Sequence, residues 1–85
     1  MTYEVKFAKS AQKELKRLPK LIQKRIVMAI AKLSHNPRQG NVRPMVGSTA
    51  WRLRIGDYRV IYDIHDKEIV ILILRIAHRK DAYKR

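Results

Sequence analysis

The segment Trp51-Arg52-Leu53-Arg54-Ile55-Gly56-Asp57-Tyr58-Arg59-Val60-Ile61-Tyr62 sets arginines between apolar residues on either side of Gly56-Asp57. Gly56-Asp57 is a two-residue hairpin signal. Counting outward from it, Ile55 pairs with Tyr58, Arg54 lies opposite Arg59, Leu53 opposite Val60, and Trp51 opposite Tyr62. Side chains alternate faces along a strand. Trp51, Leu53, Ile55, Tyr58, Val60 and Tyr62 therefore share one face, and Arg52, Arg54 and Arg59 share the other. Guanidinium groups directly across a strand pair repel. A bound oxyanion would resolve that conflict through charge-assisted hydrogen bonds. The plainer alternative is that the long side chains splay into solvent. The anion site is the favoured reading, because more basic residues follow in the tail.

That tail carries His78, Arg79, Lys80 and Tyr83. Arg79 and Tyr83 are four apart and would share a face of a helical turn. An arginine beside a tyrosine can grip a phosphate and stack on a base. Tyr83 could equally be an apolar anchor packing on the sheet. His78, with an unperturbed pKa of about 6.5, could carry a proton or simply be polar surface. Arg75 is a possible contributor, but a turn of two or three residues near Asp66 would decide its face. His35 ends a helix and His65 sits in a turn. Three scattered histidines without ligand spacing argue against a metal site. With no cysteine, no glycine-rich phosphate loop and no paired carboxylates, no thiolate nucleophile and no cofactor are expected.

The elements that must position these residues follow from the rest of the chain. Its 85 residues suit one domain, 1–85. Hydrophobic content of 46% excludes a disordered basic tail. The excess of 20 Lys plus Arg over 7 Asp plus Glu, a net charge of +13, points to a polyanionic partner. The longest apolar run, Ile69 to Leu74, is far short of the roughly 18–20 residues of a membrane span. The N-terminal residues carry no apolar signal region, so no membrane partner and a cytoplasmic location are expected.

Tyr3, Val5 and Phe7 alternate with polar residues as a short edge-like strand. Ser10 should cap a helix containing Ala11, Leu15 and Leu18. Pro19 should open a second helix, whose stripe is Leu21 or Ile22, Ile26, Val27, Ile30 and Leu33. Asn36-Pro37 ends it. The two form an antiparallel helical hairpin. Arg38 to Thr49, with Gly40, Pro44 and Gly47, reads as a loop. After the arginine hairpin, a turn at His65-Asp66-Lys67 leads into an apolar strand from Glu68 to Ile76.

This order of elements, with the Arg52-to-Tyr62 segment and the run Arg75-Ile76-Ala77-His78-Arg79-Lys80-Asp81-Ala82-Tyr83, closely resembles the RelE family of the RelE/ParE superfamily. These are toxins of type II toxin–antitoxin systems. The resemblance covers nearly the whole chain. It implies a compact α+β fold: an antiparallel twisted sheet with the N-terminal helical hairpin packed on one face. It also implies a toxin that enters the ribosomal A site and cuts mRNA, blocked by a cognate RelB-like antitoxin.

Carried over by position, Arg59 matches the arginine that contacts the scissile phosphate. Arg79 matches the one that helps the leaving group. Tyr83 matches the tyrosine that orients or stacks on mRNA. Arg52 and Arg54 match basic positions that are often lysine. Arginine at 54 keeps its proton and cannot readily act as a base. Arg54 is then expected to clamp charge, leaving proton transfer to His78, water or a ribosomal group. RNA supplies its own 2′-OH nucleophile, so such an endoribonuclease needs no metal.

Residues 1–47 carry a net charge of +9 and residues 48–85 a net charge of +4. Lys13, Lys16 and Lys20 are therefore expected to meet rRNA phosphates, with Lys80 and His78 as further RNA contacts. Two other functions are compatible with the resemblance: a ParE-like, non-nucleolytic inhibitor of DNA gyrase, and a basic ribosome-associated protein without catalysis.

Overall fold

The computed structural model describes residues 2–78. The order is β1 (Glu4–Phe7), α1 (Lys9–Lys16), α2 (Lys20–His35), β2 (Val42–Pro44), β3 (Trp51–Ile55), β4 (Tyr58–His65) and β5 (Val70–His78). The strands form one five-stranded sheet in the order β1-β5-β4-β3-β2. Neighbours from β2 to β5 are antiparallel, as hairpin connections require. β1 instead joins β5 in parallel, with Glu4 opposite Val70 and Phe7 opposite Ile73. The α+β class stands, with a mixed sheet in place of a wholly antiparallel one. The helices carry the chain back across the sheet between β1 and β2, so no hairpin constrains the direction of β1.

Pro19 is the residue before α2, its φ of −56° matching the helix entry. Gln23 Nε2 donates to Leu18 O at 2.7 Å and fastens the turn between the helices. Ile22, Ile26, Ile30 and Leu33 face the sheet, whereas Leu21 and Val27 are exposed. Steps of four keep one face of a 3.6-residue helix, and Val27, one step beyond Ile26, rotates off it. Ala11, Ile26, Ile30 and Leu33 close over Leu53, Val60, Tyr62, Ile71, Ile73 and Ile76 to form the core.

Ser10 does not cap α1. The helix starts one residue before it, and its hydroxyl donates to Leu74 O at 2.9 Å. This contact belongs to a larger device. β1 covers the edge of β5 only as far as Ile73. Beyond that point α1 takes over: Glu14 Oε1 accepts the Ile76 N–H at 2.8 Å, and Glu14 Oε2 accepts Arg75 Nε at 2.8 Å. An exposed strand edge is a template for unwanted pairing, and here side chains occupy its backbone groups.

Two connections differ from the sequence reading. Val42–Pro44 is a strand, with Val42 opposite Leu53, Arg43 opposite Arg52 and Pro44 opposite Trp51. Proline is tolerated because β2 is an edge strand and its missing N–H would face away from the sheet. The turn after β4 runs longer than expected, and β5 begins at Val70. Ile69 takes a positive φ of 56°, closed by its N–H donating to Asp66 O at 3.2 Å. Left-handed backbone is costly for a β-branched residue, so an apolar run does not reveal it. Within β5 the register shifts: Tyr62 pairs with Ile73 but Ile61 with Arg75, leaving Leu74 as a bulge. Among the described residues no helix is long and apolar enough to cross a membrane.

Candidate functional site

The helices cover one face of the sheet; among the described residues no helix covers the opposite, open face, and the β3–β4 hairpin decides which residues it shows. Gly56 takes a φ of 55° in the turn, a value open to glycine at no steric cost. The register is the expected one: Arg54 opposite Arg59, Leu53 opposite Val60, Trp51 opposite Tyr62. Leu53, Val60 and Tyr62 are buried beneath the helices. Arg52, Arg54 and Arg59 therefore project from the open face.

The added strand enlarges this group. Arg43 lies directly across from Arg52. Asn41 stands opposite Arg54, accepting its N–H at 3.1 Å and donating from Nδ2 to its carbonyl at 3.3 Å. Sequence reasoning missed Arg43 because Gly40, Pro44 and Gly47 hide a three-residue strand. The available signal was the Val42-Arg43 alternation. Arg43 and Arg54 are exposed; Arg52 and Arg59 are half-buried. Asn41, Arg43, Arg52 and Arg54 line a depression of about 100 Å³.

Other expected residues are placed elsewhere. Arg75 pairs with Ile61, but its guanidinium is held by Glu14, so its charge is already compensated. His78 lies opposite Tyr58, their rings edge to face at 5.0 Å between centroids. Tyr58 shares a face with Val60 and Tyr62, which puts His78 on the helix side, in a recess with Glu14, Arg17 and Leu18. The sheet lies between the His78 ring and the side chains of Arg54 and Arg59. The bulge at Leu74 sets this phase and has no signature in the sequence. Lys13, Lys16 and Lys20 are exposed on the helices, away from the arginine face. Arg79, Lys80 and Tyr83 lie outside the described residues.

A second polar group was not anticipated. Arg38 Nη2 meets Asp66 Oδ2 at 2.7 Å, and Tyr3 OH donates to Asp66 Oδ1 at 2.8 Å. The Arg38 guanidinium also lies 5.9 Å from the Trp51 ring centroid. Hydrogen bonds from Arg38, then from Tyr3, hold the Asp66 carboxyl below its ordinary value. Nearby, Tyr62 OH donates to Pro37 O at 2.6 Å, and burial pushes its phenol up to about 12. These contacts tie the loop after α2 to the β4–β5 turn and to the core.

The open face can bind oxyanions and stabilise negative charge that develops on them. Ile61 and Ala77, half-buried between the arginine rows, offer a small apolar surface beside that charge.

The family model described as the ParE toxin of the type II toxin–antitoxin system parDE matches residues 5–83. Toxin RelG of Mycobacterium tuberculosis is 36% identical, covering 100% of both chains. The crystal structure of the RelBE2 toxin–antitoxin complex from the same organism aligns with a TM-score of 0.85 and 32% identity, covering 93% of this chain and 100% of that one. The archaeal RelE–RelB complex from Pyrococcus horikoshii aligns with a TM-score of 0.80 and 36% identity, covering 93% of this chain and 97% of that one.

Proposed function

The chain belongs to the RelE/ParE superfamily of type II toxin–antitoxin toxins, and on that premise we propose that it is a ribosome-dependent mRNA endoribonuclease. The observation that carries this reading is the Arg54–Arg59 pair, directly opposed on an open sheet face with Arg52 beside it. Stability alone would not select that repulsion.

In the proposed reaction the 2′-oxygen of one nucleotide attacks the adjacent phosphorus. An O2′–P bond forms and the P–O5′ bond breaks. Arg59 and Arg54 hold the non-bridging oxygens, whose negative charge grows in the transition state. The strand pair fixes both arginines before the substrate arrives, so little reorganisation is needed. Arg79 assists the departing 5′-oxygen, and Tyr83 holds the base. The 2′-proton passes to water or to a ribosomal group, a reading supported by the position of His78 beside Tyr58 on the helix side of the sheet. Lys13, Lys16 and Lys20 supply diffuse attraction to rRNA. The regulatory partner is a RelB-like antitoxin, in keeping with the complexes formed by the structural relatives. Against a chain of net charge +13 its wrapping segment should be acidic.

Inhibition of DNA gyrase is the second reading, because the matching family model carries the ParE name. Mapping mRNA 5′ ends after expression separates the two. Cuts within translated frames, lost in Arg59→Ala and Arg79→Ala, are the expected result. Supercoiling defects with intact mRNA would overturn it.

A further inference from the structure

Four residues on the open face stand at the corners of a square spanning two strands and two rows. Arg43 faces Arg52 across β2 and β3, and Asn41 faces Arg54 one row along. The depression they enclose is about 100 Å³. Its polar, cationic lining suits a tetrahedral oxyanion. No carboxylate lines it. Arg38 and Arg75 each have a carboxylate partner, whereas among the described residues Arg43, Arg52 and Arg54 have none. The Asn41 amide is committed to the Arg54 carbonyl, which fixes the corner nearest the chain's entry into β2.

We infer that this square is a second phosphate site, holding the phosphodiester next to the scissile one, with Arg43 as the residue dedicated to it. The inference rests on the reading that a single RNA strand crosses the Arg54–Arg59 pair. Arg54 belongs to both sites: one between it and Arg59, the other between it, Arg52 and Arg43. Arg52 and Arg54 are two residues apart on one strand, about 6.8 Å, a step that successive phosphates of an extended strand can match. Contacts of this kind fix the path and register of the nucleic acid without reading its bases. The site therefore sets affinity and places the scissile phosphate against Arg59, and it leaves sequence preference to other residues.

The test uses the full chain and a single-stranded RNA oligonucleotide carrying a 2′-deoxy nucleotide at the cleavage position, so that it binds without being cut. A companion set replaces one neighbouring phosphate at a time with an uncharged methylphosphonate. Arg43→Gln should weaken binding about five- to tenfold and flatten the slope of log K against log salt by about 0.7. One methylphosphonate position should weaken the unaltered protein by the same factor and leave Arg43→Gln unchanged, since both remove one contact. Arg43→Lys should keep the salt slope. The site is refuted if Arg43→Gln binds like the unaltered chain, if the two losses multiply at every position, or if the variant loses only ribosome affinity. A protein that shows this binding pattern yet leaves ribosome-bound mRNA intact refutes the ribonuclease reading and keeps the phosphate site. Cleavage of mRNA that Arg43→Gln leaves undiminished refutes the site and keeps the ribonuclease reading.

Discussion

The two faces of this sheet carry opposite kinds of residue. Beneath the helices, Val60, Tyr62, Ile71 and Ile73 are fully buried, and the buried hydroxyl of Tyr62 has its acceptor. On the open face Arg43, Arg52 and Arg54 gather, and no acid lines the depression between them. Within β3 and β4 the two kinds alternate residue by residue: Leu53 and Val60 lie beneath the helices, Arg52, Arg54 and Arg59 on the other side. The difference teaches where stability and binding reside. The covered face supplies the folding free energy. The open face gives some of it up to self-repulsion, and under the proposed function an oxyanion would restore it.

The comparison breaks if either face does the other's work. Ile73→Ala removes a side chain with no exposed surface from the centre of the core and should cost about 2–5 kcal/mol in urea unfolding. Activity per folded molecule should be retained. Arg54→Ala should show the reverse. Cleavage of ribosome-bound mRNA should fall by about 10²–10³-fold, as when one donor to a developing oxyanion is removed. The urea midpoint should hold or rise, because Arg54 loses only its repulsion with Arg59. A midpoint that drops as far as that of Ile73→Ala would show that the arginine face holds the fold.

Tyr62 sharpens the contrast from the covered side. Tyr62→Phe leaves the Pro37 carbonyl without its donor in a buried setting, a loss of about 1–3 kcal/mol. Its titration has a definite sign. The folded-state phenol sits near 12 against an ordinary 10.0, so the native state keeps a proton that the unfolded state loses. Stability from this group is complete below about pH 10 and drains away as the pH rises toward 12. Urea midpoints measured between pH 9 and about pH 12 should fall in the native chain and be flatter in Tyr62→Phe.

What could be read in the sequence follows the range of each interaction. The Arg54–Arg59 pairing was legible because Gly56-Asp57 fixes the register from two residues away. The stripe Ile22, Ile26, Ile30 and Leu33 was legible because helical period is local. The direction of β1 was not, since nothing within Glu4–Phe7 distinguishes a parallel from an antiparallel neighbour. The run from Ile69 to Leu74 has no period, so it concealed both the positive φ at Ile69 and the bulge at Leu74. That bulge puts His78 with Tyr58 on the helix side of the sheet. The partners of Glu14 are Arg75 and Ile76, too far along the chain for local pattern to reveal them.

The smallest effect separates two kinds of arginine. Arg38 resembles Arg52 in composition tables, but it sits with Asp66 and over Trp51. Its bond to Asp66 is solvent-exposed, and such pairs contribute little and weaken with salt. Arg38→Gln should therefore shift the urea midpoint by only a fraction of the Tyr62→Phe loss, and less at high salt than at low. It should leave oligonucleotide binding and its salt slope alone. The acid side has its own sign. Arg38 and Tyr3 hold the Asp66 carboxyl below 3.8, so its contribution is present above that value and is lost as the pH falls through the lowered one. Comparing midpoints at neutral and acid pH, Arg38→Gln should show a smaller loss from this group than the unaltered chain. If Arg38→Gln instead reduced RNA affinity as Arg43→Gln is expected to, the possession of a carboxylate partner would not separate structural from binding arginines in this fold.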